Sequence, residues 1–454
     1  MNYYIIPKNN FNIKISLTIR NENIAPIMSY SLIHFLNDIY TQILHIVSNN
    51  PNEQTLENIT KIVNPYEFIH TNIPGTELSV SKLKLSSNIF FELLELFHSC
   101  NIMEPFLIKK QVNIAHITRN HMSTNYLINM FHGSNSECSS NNITINENFD
   151  FKTLCDRFIV NPVYKDKMDL FIFEFLENDY INTQQYINNM ILVLYIVTKY
   201  QAENGTCIIK MDNIFYKTIV DILFIFSAIF ERVIIIKPSI SKVTKGERYL
   251  ICKNFNMDSV RQTKLLQQLD EHCRPKIIDN TLNMLQIHSL IKNDIPYYFS
   301  NKLEEINAVI GQQQLELYDH ILNIYKNKNR IEKCEIMKRN HIQKCIQWCE
   351  KNQIPYNKFL DNNSNNNNNS NNSNNNNNNN NIFLNLKNRG VTNDNDNDNN
   401  NDNNNDNNND NNNDNNNNQN IELIVNDKEE KKVEEEADLV TLVNEMVDFV
   451  VNDK

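Results

Sequence analysis

The stretch that most constrains the fold of this chain is residues 205–255, which reads as strand, helix, strand, turn and strand. Four short runs within it have the apolar or β-branched character of buried elements: residues 207–211, 221–230, 233–236 and 248–253. A strand–helix–strand unit of this kind predicts an α/β sheet covered by helices. Lys210 and Glu247 fall where predicted strands end or begin, and strand ends border the ligand crevice in open α/β sheets.

The remaining predicted elements surround this unit. Apolar residues at helical spacing predict helices over residues 29–49, 86–97 and 182–203, and apolar runs predict strands over residues 112–117 and 168–174. One or two strands fit the first 20 residues. Beyond residue 255 the sequence becomes polar and helical to about residue 360. From residue 361 to 420 it is an Asn/Asp-rich, low-complexity segment, whose composition predicts disorder.

The acidity of the chain lies in its tail. The whole chain has a net charge of −11, but residues 361–454 hold 19 of the 54 acidic and 6 of the 43 basic side chains. Residues 1–360 therefore have a net charge of +2. A near-neutral body does not by itself indicate nucleic-acid binding, although a local basic face is compatible with it.

Glycine is scarce, and this excludes two common phosphate-binding motifs. The chain has only six glycines, and no two lie close together. A P-loop and a dinucleotide-binding fingerprint both need closely spaced glycines, because the backbone must approach phosphate.

The nine cysteines form no CxxC pair. Cys345 and Cys349 share a predicted helix with His341, but a metal site there needs further ligands. Free thiols of an intracellular protein are the favoured interpretation, and no metal is predicted. The N-terminus lacks a signal-peptide pattern, and the longest apolar stretch is too short to cross a bilayer, so a cytoplasmic protein without membrane contact is expected.

Four motifs stand in order within residues 205–255: IIKMD, FERVIIIKP, SISK and GERYLICK. This order resembles the last third of the FtsJ-type (RrmJ-type) ribose 2′-O-methyltransferases, in particular the mRNA-cap branch of eukaryotes and large DNA viruses. The resemblance implies a Rossmann-like, S-adenosylmethionine-dependent methyltransferase fold. It implies RNA as partner, with capped mRNA as the narrower candidate, and host cytoplasm or virion as location for a viral member.

The resemblance also carries over a catalytic tetrad of Lys, Asp, Lys and Glu. In that family the central Lys helps to remove the proton of the ribose hydroxyl. The matching positions here are Glu92, Glu174, Lys210 and Glu247. Three carboxylates around one amine raise its pKa, which is the wrong direction for a general base. The alternative for Lys210 is a strand-end lysine that forms a purely structural ion pair.

The cofactor loop of the family is rich in glycine, whereas the loop after the predicted strand 112–117 reads TRNHMSTN. Side chains at those positions would crowd S-adenosylmethionine unless the loop takes another course. The resemblance assigns cofactor contacts to a set of five residues: Thr118, Arg119, Asn120, His121 and Asp169. It assigns an RNA-facing basic rim to Lys237, Lys242, Lys245 and Arg248, for which a solvated loop is the alternative.

The predicted organisation has five parts. Residues 1–79 are an N-terminal extension, 80–255 the methyltransferase-like domain, 256–360 a helical extension, 361–420 the disordered segment, and 421–454 an acidic tail with a short amphipathic helix that docks on a protein partner or has no role.

Two functional hypotheses follow. The chain is either an RNA 2′-O-methyltransferase or a degenerate relative that keeps the fold to bind RNA or a partner, and the altered motifs favour the second. A purely helical scaffold would leave the strand runs unexplained.

Overall fold

The computed structural model describes residues 2–10, 13–48, 56–84, 88–106, 109, 111–117, 127, 139–145, 167–175, 182–273, 286–292, 294–327 and 330–358. The predictions for residues 118–125, for the low-complexity segment and for the acidic tail lie outside these residues.

Nine strands are described. They are β1 (Asn2–Ile6), β2 (Ile15–Arg20), β3 (Gln111–Ile117), β4 (Ser139–Ile145), β5 (Met168–Glu174), β6 (Gln201–Met211), β7 (Phe230–Lys237), β8 (Arg248–Phe255) and β9 (Gln286–Ile291). Seven of them form one sheet in the order β1-β7-β8-β6-β5-β3-β4, and β2 pairs with β9 in a separate two-stranded sheet. Strands β4, β3, β5 and β6 are parallel, whereas β8 runs antiparallel to both β6 and β7.

Eight α-helices are described. They are α1 (Tyr30–Ser48), α2 (Leu56–Val63), α3 (Ile89–Ser99), α4 (Thr183–Tyr200), α5 (Lys217–Ile229), α6 (Ser259–His272), α7 (Tyr297–Lys326) and α8 (Arg330–Lys351). Their starts follow local chemistry. The Asn182 side chain accepts a hydrogen bond from the backbone N–H of Gln185 and caps α4, and Asp258 caps α6 in the same way through Arg261.

The two faces of the large sheet are covered by different helices. Strand β5 shows the division, because Leu170 and Ile172 join a core formed with α3 and α8, whereas Phe171 and Phe173 join a core formed with α4, α5 and α7. All seven residues of β5 are buried. A strand covered on both faces reads as a continuous apolar run, and this is the pattern of MDLFIFE in the sequence.

The α/β fold and the order of its elements are confirmed. Each strand and helix predicted between residues 86 and 255 is present, and β5 has the predicted bounds. Two features differ. Strand β1 belongs to the edge of the large sheet through its antiparallel pairing with β7. The stretch after residue 255 is not purely helical, because β9 pairs with β2. The predicted domain boundaries stay predictions.

Within the described residues no helix is both long enough and apolar enough to cross a membrane. The seven cysteines that the structure describes are all free thiols. In the same residues no group of His, Cys, Asp and Glu is arranged to hold a metal ion.

Candidate functional site: a buried lysine and carboxylate cluster

A cluster of charged side chains lies where the parallel strands β3, β5 and β6 end. Glu174, the last residue of β5, is paired in register with Lys210 of β6, and Lys210 is paired with Tyr249 of β8. Residues paired in register project from the same face of a sheet. Glu92 reaches this face from α3, and Glu247 reaches it from the turn before β8. We call Glu92, Glu174, Lys210, Glu247, Tyr249 and His116 the tetrad cluster.

The ammonium group of Lys210 is held by two carboxylates. Its Nζ lies 3.2 Å from Oε2 of Glu92 and 3.3 Å from Oε2 of Glu247. The hydroxyl of Tyr249 donates a short hydrogen bond to the same oxygen of Glu92. Lys210 is 6% exposed and Glu92 is 1% exposed. The cluster is therefore a closed network of ion pairs and hydrogen bonds rather than a lysine open to solvent.

The electrostatics of the cluster keep Lys210 protonated. Burial alone would lower its pKa, but the carboxylates of Glu247, Glu92 and Glu174 outweigh this and raise the pKa above that of an exposed lysine. Burial, with the added charge of Glu92, also raises the pKa of the Tyr249 phenol well above its ordinary value. A lysine in this setting holds its proton and does not accept one near neutral pH.

His116 is a member of the cluster that the sequence analysis missed. Its Nε2 lies 2.8 Å from Oε1 of Glu174, and both side chains are buried. Its Nδ1 has no hydrogen-bond partner within the residues that the structure describes. Its position in strand β3 is the feature that could have identified it. There His116 is aligned with Ile172 of β5 and therefore projects from the same face of the sheet as Glu174.

The predicted basic rim needs a correction, because two of its four members are interior residues. The ammonium of Lys237 donates hydrogen bonds to the backbone carbonyls of Lys245 (2.7 Å) and Glu247 (2.9 Å), and burial lowers its pKa to about 8. The guanidinium of Arg248 binds the carbonyl of Gly246 and the side chain of Asn307, and burial lowers its pKa to about 10. Neither side chain faces solvent as a rim would require.

The two other members of the rim remain accessible. Lys242 is exposed and Lys245 is half-buried. The turn that carries them is fixed from α3, because the carboxylate of Glu95 accepts hydrogen bonds from the backbone N–H groups of Ser239 (3.0 Å) and Ile240 (3.3 Å). The same carboxylate accepts a bond from the indole N–H of Trp348. Glu95 was not predicted, since its partners are distant backbone groups.

The residues assigned to the cofactor divide into two groups. Thr118, Arg119, Asn120 and His121 lie outside the described residues. Asp169 lies at the amino end of β5, away from the tetrad cluster at the carboxyl end. Its carboxylate accepts bonds from Lys109 (2.6 Å) and from the backbone N–H of Asn113 (2.9 Å). The structure therefore does not bring Asp169 together with the cluster.

The fit of S-adenosylmethionine can be tested at the carboxyl ends of β3 and β5. The polar side chains described there, His116 and Glu174, bind each other and are buried. Such a pair offers no accessible donor or acceptor set to a bound nucleoside or amino acid. Within the described residues, Nδ1 of His116 is the polar atom of this pair that has no hydrogen-bond partner, and it is buried.

Comparison with known proteins gives a limited sequence likeness. No family model matches the chain. The cap-specific mRNA (nucleoside-2′-O-)-methyltransferase 2 of Drosophila melanogaster is 35% identical over 68 residues, which are 15% of this chain and 10% of that protein. The chain thus spans about a tenth of the length of the curated relative that it matches.

Three solved structures are also similar. A protein assigned as a ribosomal RNA methyltransferase of Plasmodium falciparum has 17% identity and a TM-score of 0.29, over 38% of this chain and all of that chain. A class I S-adenosylmethionine-dependent methyltransferase of Listeria monocytogenes has 10% identity and a TM-score of 0.26, over 51% and 90%. A probable spermidine synthase of Corynebacterium glutamicum has 10% identity and a TM-score of 0.27, over 48% and 89%. At these scores the likenesses carry no argument about function.

The fold assignment rests on the chain itself. The strands and helices predicted between residues 86 and 255 are present in order, the sheet is Rossmann-like, and Lys210 contacts Glu92 and Glu247, with Glu174 beside it. The chain is a protein of the Rossmann-like, S-adenosylmethionine-dependent methyltransferase fold, with distant similarity to RNA 2′-O-methyltransferases.

Proposed function

We propose that this methyltransferase-fold protein is a catalytically degenerate homologue of the RNA ribose 2′-O-methyltransferases, which keeps the fold as an RNA-binding or partner-binding subunit. The cap-directed branch found in eukaryotes and large DNA viruses is the proposed origin, and the cytoplasm of the cell or host is the proposed location.

One observation carries the proposal. The ammonium of Lys210 lies between Glu92 and Glu247 at 3.2 and 3.3 Å, and the nearby carboxylate of Glu174 adds to the field that raises its pKa. Removing a proton from a ribose hydroxyl needs a base that is unprotonated near neutral pH. The reversed charge at Glu92 therefore converts the family's base into a permanently paired cation. Lys210 is also almost fully buried.

The second candidate function is an active RNA 2′-O-methyltransferase, and one observation favours it. The tetrad positions have remained together at the carboxyl edge of the sheet, which is where ligands bind in open α/β folds. If the protein does turn over, S-adenosylmethionine is the methyl donor and Lys210 is the central residue. The loop at residues 118–125 would then have to hold the cofactor without glycine.

The deciding experiment is calorimetric titration of the full chain with S-adenosylmethionine and with S-adenosylhomocysteine. The proposal predicts no binding at millimolar ligand, because side chains in the Gly-free sequence of residues 118–125 would crowd the cofactor and the His116–Glu174 pair is buried. Micromolar binding of either ligand would contradict it.

A methylation assay separates binding from turnover. The full chain and its Lys210→Ala variant are incubated with capped RNA and methyl-labelled cofactor. The proposal predicts no transfer above background for either protein. Transfer that is present in the wild type and absent in Lys210→Ala would establish the active enzyme instead.

A further inference from the structure

The last described helix, α8, is the most basic element of the body. Residues 326–358 contain nine Lys and Arg side chains and three Glu side chains, a net charge of +6. Residues 1–360 together have a net charge of only +2. Helix α8 itself contains six of these basic side chains and all three Glu side chains, a net charge of +3, and the other three basic residues flank it. The rest of the body is slightly acidic.

Helix α8 has an inner and an outer face. The inner face is buried against α2 and α3 through Cys334, His341, Cys345, Trp348 and Cys349. The outer face carries five polar residues at helical spacing, all exposed: Lys333, Asn340, Lys344, Gln347 and Lys351. The exposed Ile336 lies on the same face between Lys333 and Asn340. Steps of seven, four, three and four residues keep these side chains on one line along the helix. We call this line the α8 stripe.

The stripe carries no acidic residue, and its lysines are unpaired. Lys333, Lys344 and Lys351 form no ion pair or side-chain hydrogen bond with any residue that the structure describes. Of the three acids on α8, Glu335 binds Lys338 and Glu350 accepts a bond from Tyr356, whereas the exposed Glu332 lies one residue before Lys333 and is turned about 100° from it around the helix. A helix that only needed solubility would gain from mixing both signs along its outer face.

The geometry matches a nucleic-acid backbone. With a rise of about 1.5 Å per residue, Lys333 and Lys344 are separated by about 16 Å along the helix and Lys344 and Lys351 by about 10 Å. Contacts at these separations would fall on phosphates that are two or more nucleotides apart along one strand. Between the lysines, the amides of Asn340 and Gln347 can donate to phosphate or sugar oxygens.

The basic surface continues past the end of α8. Residues 81–84 lie beside residues 355–357, because the N–H of Lys82 donates to the carbonyl of Pro355 and Ser81 pairs with Tyr356. Lys82, Lys84 and Lys358 are exposed there. The cationic track is therefore longer than the helix.

We infer that the α8 stripe is a docking surface for the phosphate backbone of single-stranded RNA. The inference rests on the RNA-binding part of the proposed function. It places the RNA contact on helix α8 rather than on the turn that carries Lys242 and Lys245. The contact is electrostatic and independent of base sequence, because lysines and amides on an exposed helix reach phosphates rather than base edges.

The test measures RNA affinity against salt. Binding of a fluorescein-labelled single-stranded 20-mer RNA is followed by anisotropy at several salt concentrations for three forms of the full chain. These are the wild type, the stripe variant Lys333→Gln/Lys344→Gln/Lys351→Gln, and the control variant Arg20→Gln/Lys264→Gln/Lys292→Gln. The control removes the same three charges from other exposed positions.

The stripe variant is expected to bind about tenfold or more weakly at low salt. Each phosphate contact contributes about 0.7 to the slope of log K against log salt for a single strand, so the slope is expected to fall by about 2. The control variant is expected to retain the wild-type slope. All three proteins must have the same circular dichroism and unfolding midpoint.

Other outcomes overturn the inference in distinguishable ways. Equal losses in the stripe and control variants would show a general charge effect without a surface. Retained binding in the stripe variant would remove the inference but leave an RNA-binding protein, with Lys242 and Lys245 as the next residues to replace. Absence of wild-type binding would remove the RNA-binding part of the proposed function together with the inference. If the wild type binds polyglutamate as tightly as RNA, and the stripe variant binds neither, the α8 stripe would be a docking surface for an acidic protein instead.

Discussion

Replacing Lys210 by methionine tests whether the tetrad cluster is a closed ion-pair network. Methionine preserves most of the volume of the side chain but removes the charge. The carboxylates of Glu92 and Glu247, at 3.2 and 3.3 Å, then lose their common counter-ion. At an effective dielectric constant near 20, each contact is worth about 5 kcal/mol before the cost of burying the ammonium is subtracted.

The expected net loss is about 3–5 kcal/mol of unfolding free energy, which is typical when one partner is removed from a buried pair. This is a large part of the roughly 5–15 kcal/mol that stabilises a domain. The assay is urea unfolding at neutral pH. Lys264→Met is the control, because Lys264 is exposed and its replacement should cost less than about 0.5 kcal/mol.

A second variant separates charge from packing. In Lys210→Met/Glu92→Gln, the amide oxygen still accepts from Tyr249, but one buried negative charge is gone. We expect the double variant to recover most of the loss. The reasoning is refuted if Lys210→Met costs less than about 1 kcal/mol, or if the double variant is no more stable than the single one.

Two further predictions concern Lys237 at the end of β7 and Gly205 within β6. Burial lowers the pKa of Lys237 from 10.5 to about 8, so between these values the unfolded chain binds more protons and the free energy of unfolding rises with pH. Urea titrations between about pH 7.5 and pH 9.5 should show this rise in the wild type and not in Lys237→Met; the same rise in both would exclude Lys237 as its source. A Cβ at Gly205 would lie 2.8 and 2.9 Å from backbone oxygens, so Gly205→Ala should cost about 1–3 kcal/mol. Gly246→Ala, whose Cβ meets only side-chain atoms at 3.2 Å or beyond, should cost less, and equal losses would contradict this reasoning.

Much of the sheet could be predicted because its strands are covered on both faces. Strand β5 reads as an uninterrupted apolar run, and the predicted bounds agree with the structure. Strand β9 could not be predicted in the same way. Its six residues mix polar and apolar side chains, and they form a strand because β2, more than 260 residues earlier, offers a partner. Such a pairing leaves no trace within a local window.

The sequence predicted most members of the candidate site, but not their burial or their hydrogen-bond partners. Ordered motifs identified Glu92, Lys210 and Glu247, and the structure brings them into contact. Sequence could not show that Lys237 and Arg248 are interior, because their partners are carbonyl and amide groups that only the folded chain brings close. The role of His116 was equally hidden, since a lone histidine in a strand has no partner until the neighbouring strand is placed.

The pairing of β1 with β7 and of β2 with β9 has a consequence for biosynthesis. Strands β1 and β2 are synthesised more than 220 residues before their partners at Val233–Lys237 and Gln286–Ile291. Until then two strands remain without their neighbours, and closing such long loops is slow. The sheet can therefore grow from its middle during translation, with the N-terminal strands added last, and a nascent-chain chaperone would have its longest opportunity to bind at this end.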